Sequence, residues 1–317
     1  MTSPPGTQDL SRDRSVIRPP SAPTQRSAWR KREERLGHAL LVPALLISSI
    51  VLVGPLLFNV YASFHDWSLI GTGDPEFVGF TGYVEALTDP RWTSTIVRTL
   101  VFVALTVGLQ MVLGFAIAWF IFKNFPRSRA VKVILLFPMM ISEVASALGW
   151  RLMLSGENSL VNHLLDSVGA DGRLWFGPDL AFATVVWVDV WQQTPFVVLI
   201  MYAAMQGMPT EILESARVDG AARWNYIRNI VIPMVKPAIM VVLTFRTVMA
   251  LRAFATIWVL TGGGPGQRTT VLGIDIYNVA FSRYDLGLAG VISVIMVLLS
   301  AVISYAYVRG LSRASLG

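Results

Sequence analysis

The chain has 317 residues, 54% of them hydrophobic and 15% charged, and a mean hydropathy of +0.56, which excludes an ordinary water-soluble domain and describes a protein dissolved largely in lipid. A formal charge of +6 would suit nucleic acid, but the bases cluster beside apolar runs on one side, so no nucleic-acid partner is expected. The absence of cysteine excludes a disulfide framework, a thiolate metal site and a cysteine nucleophile, and leaves the redox compartment open.

Residues 1–35 carry Pro, Ser, Thr and Arg without apolar periodicity and are expected to form a disordered, basic cytoplasmic tail. Arg30, Lys31, Arg32 and Arg35 precede the run Ala39–Phe64, whose 26 uncharged residues are too long for a signal-peptide core. At ~1.5 Å per residue this run crosses a ~30 Å hydrocarbon layer with room to tilt. Pro43 and Pro55 are its expected kink points. Five further spans are predicted, at about 97–122, 132–153, 181–206, 236–260 and 286–308. They make residues 36–310 an all-α membrane domain of six helices.

Lys and Arg set the orientation. Segments that face inside when the N-terminus is inside hold eighteen bases; the outer segments hold six, Arg91, Arg98, Arg151, Arg173, Arg268 and Arg283. Both termini are therefore expected in the cytoplasm. Among the outer segments, 65–95 and 155–180 are acidic or turn-rich. A third opens with Leu260-Thr261-Gly262-Gly263-Gly264-Pro265. No strand precedes those glycines and no GK[ST] follows, so a tight turn is expected rather than a phosphate loop.

Away from the span ends, four ionisable side chains fall inside predicted spans: Glu143, Asp189, Arg246 and Arg252. An Arg at a helix centre costs roughly 2.5–3.5 kcal/mol on insertion scales, so these groups should face each other, water or the bundle interior. Asp189 shares a helical face with Gln192, Gln193 and Phe196, and Glu143 with Ser146, Ala147 and Trp150. Acid, amide and aromatic ring together suit a sugar, the polar groups taking hydroxyls and the ring taking the apolar C–H side. The same residues would equally serve as interhelical ion pairs, and Trp150 as an interfacial or packing anchor. Arg246 and Arg252 are about 240° apart on a continuous helix, so at most one is expected to point at such a path.

The loop Pro209–Pro233 is the one polar insert that carries a motif. Pro209 suits a helix start, and Ile212, Ser215, Ala216 and Asp219 form a narrow small-residue face. Gly220 falls at a C′ position, where positive φ carries no Cβ penalty. A second short helix from Ala221 is predicted to place Trp224, Ile227 and Ile230 on one side and to be interrupted by Pro233.

This stretch resembles the cytoplasmic loop of permease subunits in binding-protein-dependent ABC importers, whose pattern is E-A-A, three residues, Gly, nine residues, then I-x-L-P. Glu214, Ser215 and Ala216 are followed by Gly220, then by Ile230, Ile232 and Pro233; Ser replaces the second Ala and Ile replaces Leu. Arg217-Val218-Asp219-Gly220-Ala221 is similar to the sugar-importer branch, as are the Gly-rich turn after the fifth span and the first outer loop. The resemblance implies the type I ABC importer permease fold in a bacterial inner membrane. It also implies a second permease subunit forming a heterodimer, two ATP-binding subunits beneath, and an extracytoplasmic solute-binding protein above. The loop, with Glu214, Ser215, Ala216, Asp219, Gly220, Ala221, Ile230 and Pro233, would then be the ATPase-coupling element. Glu143, Trp150, Asp189, Gln192, Gln193, Arg246 and Arg252 would line the substrate path.

No Walker A sequence, GxSxG or HExxH occurs, and His38, His65 and His163 are scattered, so no catalytic residue, cofactor or metal is expected. The alternative from another class is a secondary transporter that uses the intramembrane carboxylates as proton carriers. It predicts uptake that follows a pH gradient rather than ATP.

Overall fold

The computed structural model describes residues 25–70, 74–125, 128–157, 159–209 and 223–314. The chain divides at Leu56 into two units. The first holds the N-terminal part of α1 (Gln25–Ala62). Among the described residues the backbone is helical from Gln25, so 25–35 of the stretch expected as tail is helix. Residues 25–35 are rich in Arg, Lys and Glu and contain neither Pro nor Gly, a composition that favours helix.

The second unit carries everything from Leu57 onward. A two-residue hairpin, β1 (His65–Asp66) and β2 (Glu76–Phe77), pairs antiparallel in the register His65↔Phe77 and Asp66↔Glu76. After α2 (Thr81–Thr88), Asp89 caps α3 (Pro90–Asn124) by accepting from the Arg91 N–H, with Pro90 in the first turn. Next come α4 (Arg129–Met140), α5 (Glu143–Leu154), α6 (Leu160–Ser167) and α7 (Ala181–Gln206). A helical turn Arg223–Tyr226 and a π-helical turn Ile227–Val231 then lead into α8 (Ile232–Leu251). The chain finishes with α9 (Ala255–Thr261), α10 (Leu272–Tyr277) and α11 (Leu286–Ala314).

Among the described residues, five helices are long and apolar enough to cross a membrane: Leu41–Ala62, Pro90–Asn124, Ala181–Gln206, Trp224–Leu251 and Leu286–Gly310. The span expected over 132–153 is instead two helices, α4 and α5, bent by 91°, which make a sixth crossing if counted together. The break has a local cause. Ser142, at φ −59° and ψ 146°, leaves the helical region, and its hydroxyl accepts the Ala145 N–H at 3.3 Å, which starts a new helix.

The span expected over 236–260 is also divided. α8 stops at Leu251, Arg252 sits at φ −93° and ψ 9°, and α9 starts after Phe254 at φ −139°. Conversely, Pro233 does not interrupt its helix. In the π turn the Ile232 N–H reaches the Ile227 carbonyl, five residues back. This widened turn relieves the clash a proline ring makes with an α-helical carbonyl, so the helix runs from Trp224 to Leu251. The Gly-rich segment is the tight turn expected: Gly262 ends α9 in the left-handed region at φ 61°, with its N–H on the Ile257 and Trp258 carbonyls.

α7 organises the second unit. It is apolar nearly all round, and 67% of its membrane window is buried, against 33% for α3. Gly114 of α3 lets the two helices close. A Cβ there would lie 2.5 Å from Val197 Cγ1 and 2.6 Å from Val197 Cβ. Around this seam Ala118, Ile121, Met201, Met205, Val235 and Val242 form one apolar cluster; Phe102, Ala147, Val185, Val188, Ile257 and Leu260 form another toward α5 and α9. A third joins α3, α10 and α11 through Trp92, Leu272, Val279 and Ile292.

The segment after α5 is tied by one side chain. Asn162, 1% exposed, donates through Nδ2 to the carbonyls of Gly156, Glu157 and Arg173. Its Oδ1 accepts from the Arg173 N–H and from Trp175 Nε1.

Candidate functional site

Three spans bring polar groups to one level of an otherwise apolar bundle. α7 supplies Asp189, α8 supplies Arg246 and α3 supplies Gln110. Arg246 Nη2 lies 3.5 Å from Asp189 Oδ2, and Arg246 Nε donates to Gln110 Oε1 at 2.9 Å. Gln110 Nε2 in turn donates to Asp189 Oδ2 at 2.8 Å. Each member satisfies the other two, as a buried charge pair in apolar surroundings requires. Gln110 is fully buried, and Asp189 and Arg246 are 8% and 4% exposed.

Asp189 and Arg246 of this network face a cavity of about 240 Å³, lined also by Glu143, Gln193, Arg252 and Phe254. Gln193 Nε2 donates to Glu143 Oε1 at 3.3 Å, which joins α7 to the first turn of α5. The α4–α5 bend places Glu143 here, and the break after Leu251 brings Arg252 onto the same cavity as Arg246. Both arginines therefore line it, contrary to the expectation from a continuous helix. The 240° separation applies only while the helix persists, and it ends one residue before Arg252.

Two expected path residues lie elsewhere. Gln192 is buried and donates to the Ile141 carbonyl at 3.1 Å, fastening the α4–α5 bend to α7. Trp150 packs edge-on against Trp191, with ring centroids 5.3 Å apart. Neither lines the cavity. Gln110 is not among the expected path residues, though a lone amide inside the apolar run 97–122 is itself a signal, because such a group needs a partner in lipid.

Of the loop residues, Glu214, Ser215, Ala216, Asp219, Gly220 and Ala221 lie outside the described residues. Ile230 is half-buried in the π turn, and Pro233 is exposed in the first turn of α8. Trp224 is exposed, whereas Tyr226 packs on Trp119 at 5.8 Å and Val231 joins the α3–α7–α8 cluster.

Residues 80–315 match the family described as the binding-protein-dependent transport system inner membrane component. The chain belongs to this family. Relatives of this inner membrane component include the trehalose/maltose transport system permease protein MalF of Thermococcus litoralis. It is 34% identical over 275 residues, which cover 86% of this chain and 91% of the relative. The sulfoquinovosyl glycerol transport system permease protein SmoG of Agrobacterium fabrum is 32% identical over 86% of this chain and 89% of its own length. The trehalose transport system permease protein SugA of Mycobacterium tuberculosis is 31% identical over 92% and 94%. A solved bacterial ABC transporter involved in import of the acidic polysaccharide alginate contains a chain that superposes with a TM-score of 0.77. It shares 24% identity, over 90% of this permease and 99% of that chain, and so bears on the fold alone. The architecture is that of a type I ABC importer permease.

Proposed function

We propose that this permease forms one half of the membrane path of an ATP-driven importer for a sugar or related polyhydroxylated solute. The observation that carries the reading is the cavity walled by Glu143, Asp189, Gln193, Arg246 and Arg252 beside the Phe254 ring. Carboxylates, an amide and guanidinium groups can exchange hydrogen bonds with hydroxyls, and an aromatic face can cover the apolar side of a pyranose. The names of the trehalose, trehalose/maltose and sulfoquinovosyl glycerol relatives support that solute class.

In this reading a second permease subunit completes the path, and an extracytoplasmic binding protein delivers the solute. Two ATP-binding subunits lie on the cytoplasmic side, where both termini also lie, and loop 209–233 seats in a cleft of one of them. Closure of the ATPases tilts the permease halves and moves access from one side to the other. ATP hydrolysis belongs to those partner subunits.

The test is uptake of labelled sugars into proteoliposomes holding the complete importer and its binding protein. ATP-dependent uptake that falls at least tenfold in Gln193→Ala and Glu143→Gln, with subunit assembly unchanged, is expected. Uptake driven by a pH gradient without ATP would replace this mechanism with a secondary transporter. Full uptake by both variants would remove the cavity from the path.

A further inference from the structure

A second cleft, of about 490 Å³, opens on the opposite flank of α3, between its N-terminal half, Phe182 at the start of α7 and Arg268 of the loop after α9. Its α3 wall consists of Pro90, Thr93, Ser94, Val97, Arg98 and Val101. These positions recur at helical spacing and form one stripe along the helix axis. Polarity changes along that stripe. The Thr93 and Ser94 hydroxyls lie toward the helix start, Val97 and Arg98 stand side by side one turn further on, and Val101 continues into the apolar run; Val97 and Val101 are 59% and 44% exposed.

Depth follows from length. α3 has 35 residues, about 52 Å at ~1.5 Å per residue, whereas the hydrocarbon core is ~30 Å thick. Its first turns therefore project to headgroup level, and Arg98 stands where the apolar run begins. The two guanidinium groups on the rim are fixed from behind by backbone carbonyls. Arg98 Nη1 donates to Thr270 O at 2.9 Å and Arg268 Nη1 to Pro178 O at 3.1 Å. A guanidinium carries five N–H donors in a planar fork, so each keeps donors beyond the one that anchors it. Asp275, the carboxylate whose charge acts on Arg98, is buried and lies 3.9 Å from Arg91.

We propose that this cleft binds an anionic phospholipid, its phosphate held between Arg98 and Arg268 and one acyl chain laid along Val97 and Val101. Two arginines from separate elements select a phosphate, and the apolar lower wall selects a molecule with a tail over a free anion. The site is independent of the solute path and of the sugar reading.

The test uses the full-length protein isolated from membranes with whatever subunits copurify. Native mass spectrometry after exchange into phosphatidylglycerol or phosphatidylcholine nanodiscs measures retained lipid. One phosphatidylglycerol per chain is expected, with phosphatidylcholine retained at least tenfold less. Arg268→Gln removes one fork, and Ser94→Glu adds an anion at an exposed helical position; each should lower phosphatidylglycerol retention about tenfold or more while the circular-dichroism spectrum stays unchanged. The proposal is overturned if both variants retain phosphatidylglycerol as the parent does, or if the two lipids are held equally. It is also overturned if millimolar inorganic phosphate displaces the lipid completely, which would indicate a free-anion site. Crosslinking of a photoreactive residue at position 94 to a copurifying polypeptide, with no lipid retained, would assign the cleft to a protein contact.

Discussion

Asp189, Arg246 and Gln110 show what a membrane interior requires of a single charge. A lone ion there is expensive, whereas the pair plus the amide gives each charged group an opposite charge and a hydrogen-bond partner. Removing one ion should therefore cost much more than removing both. Asp189→Asn or Arg246→Met is expected to destabilise the protein by about 3–5 kcal/mol, and the double variant should recover most of that loss. Thermal stability in detergent across the four-member cycle measures this, and simple additivity would dissolve the pair. Asp275 poses the opposite problem outside the spans. It is 2% exposed and its Oδ2 has no hydrogen-bond partner among the described residues. Burial pushes its carboxyl above the usual range, and this outweighs the opposing influence of Thr95, Arg91, Arg283 and Arg98. A raised folded-state value means that its contribution to stability is full below the unfolded value of ~3.9 and is lost as pH rises through the folded one. Melting curves from pH 4 upward should show this loss in the parent. Asp275→Asn should flatten it and match or exceed the parent at neutral pH.

At the scale of elements, the seam between α3 and α7 decides where the polar groups meet, because Gln110 and Gly114 lie one turn apart on α3. Gly114 is required by distance: any side chain would overlap Val197. Gly114→Val is expected to cost about 1–3 kcal/mol by overpacking and to strain the Gln110–Asp189 bond. Val197→Ala added to it removes Cγ1 but leaves Cβ, so it should recover only part of the loss. Detergent melting temperatures of the two variants report both effects. The bends matter equally. Ser142 redirects α4 into α5 and the break at Arg252–Phe254 separates α8 from α9, and these two interruptions carry Glu143 and Arg252 to the cavity.

At the scale of the whole molecule, the proposed coupling to an ATPase rests on loop 209–233. If Gly220 occupies a helix C′ position against a docked partner, a side chain there meets both a positive-φ backbone and a close neighbour. Backbone strain alone is then on the order of 1 kcal/mol, and a large side chain adds a clash. Gly220→Trp and Glu214→Arg are expected to insert normally while the ATPase is lost on copurification or runs uncoupled from uptake. ATPase recovery and uptake per inserted molecule measure this. Unchanged values in both variants would take the loop out of the mechanism.

Much was legible from residues alone, for reasons of local chemistry. Apolar runs of membrane length have few outcomes other than helix, because lipid offers the backbone no other partner. The Glu214–Pro233 motif identified the family because it is read at fixed spacing along the chain, without knowledge of any fold. Charges inside apolar runs marked Glu143, Asp189, Arg246 and Arg252 because their cost is local. The tertiary structure decided who partners whom. That Asp189 selects Arg246 through Gln110, that Gln192 fastens a bend, and that Trp150 packs on Trp191 all depend on the angle and depth at which separate helices cross. The two broken spans were missed because a serine cap and a three-residue interruption hardly change average hydropathy. They do rotate everything beyond them, which is how two arginines placed on different helical faces by their spacing come to line one cavity.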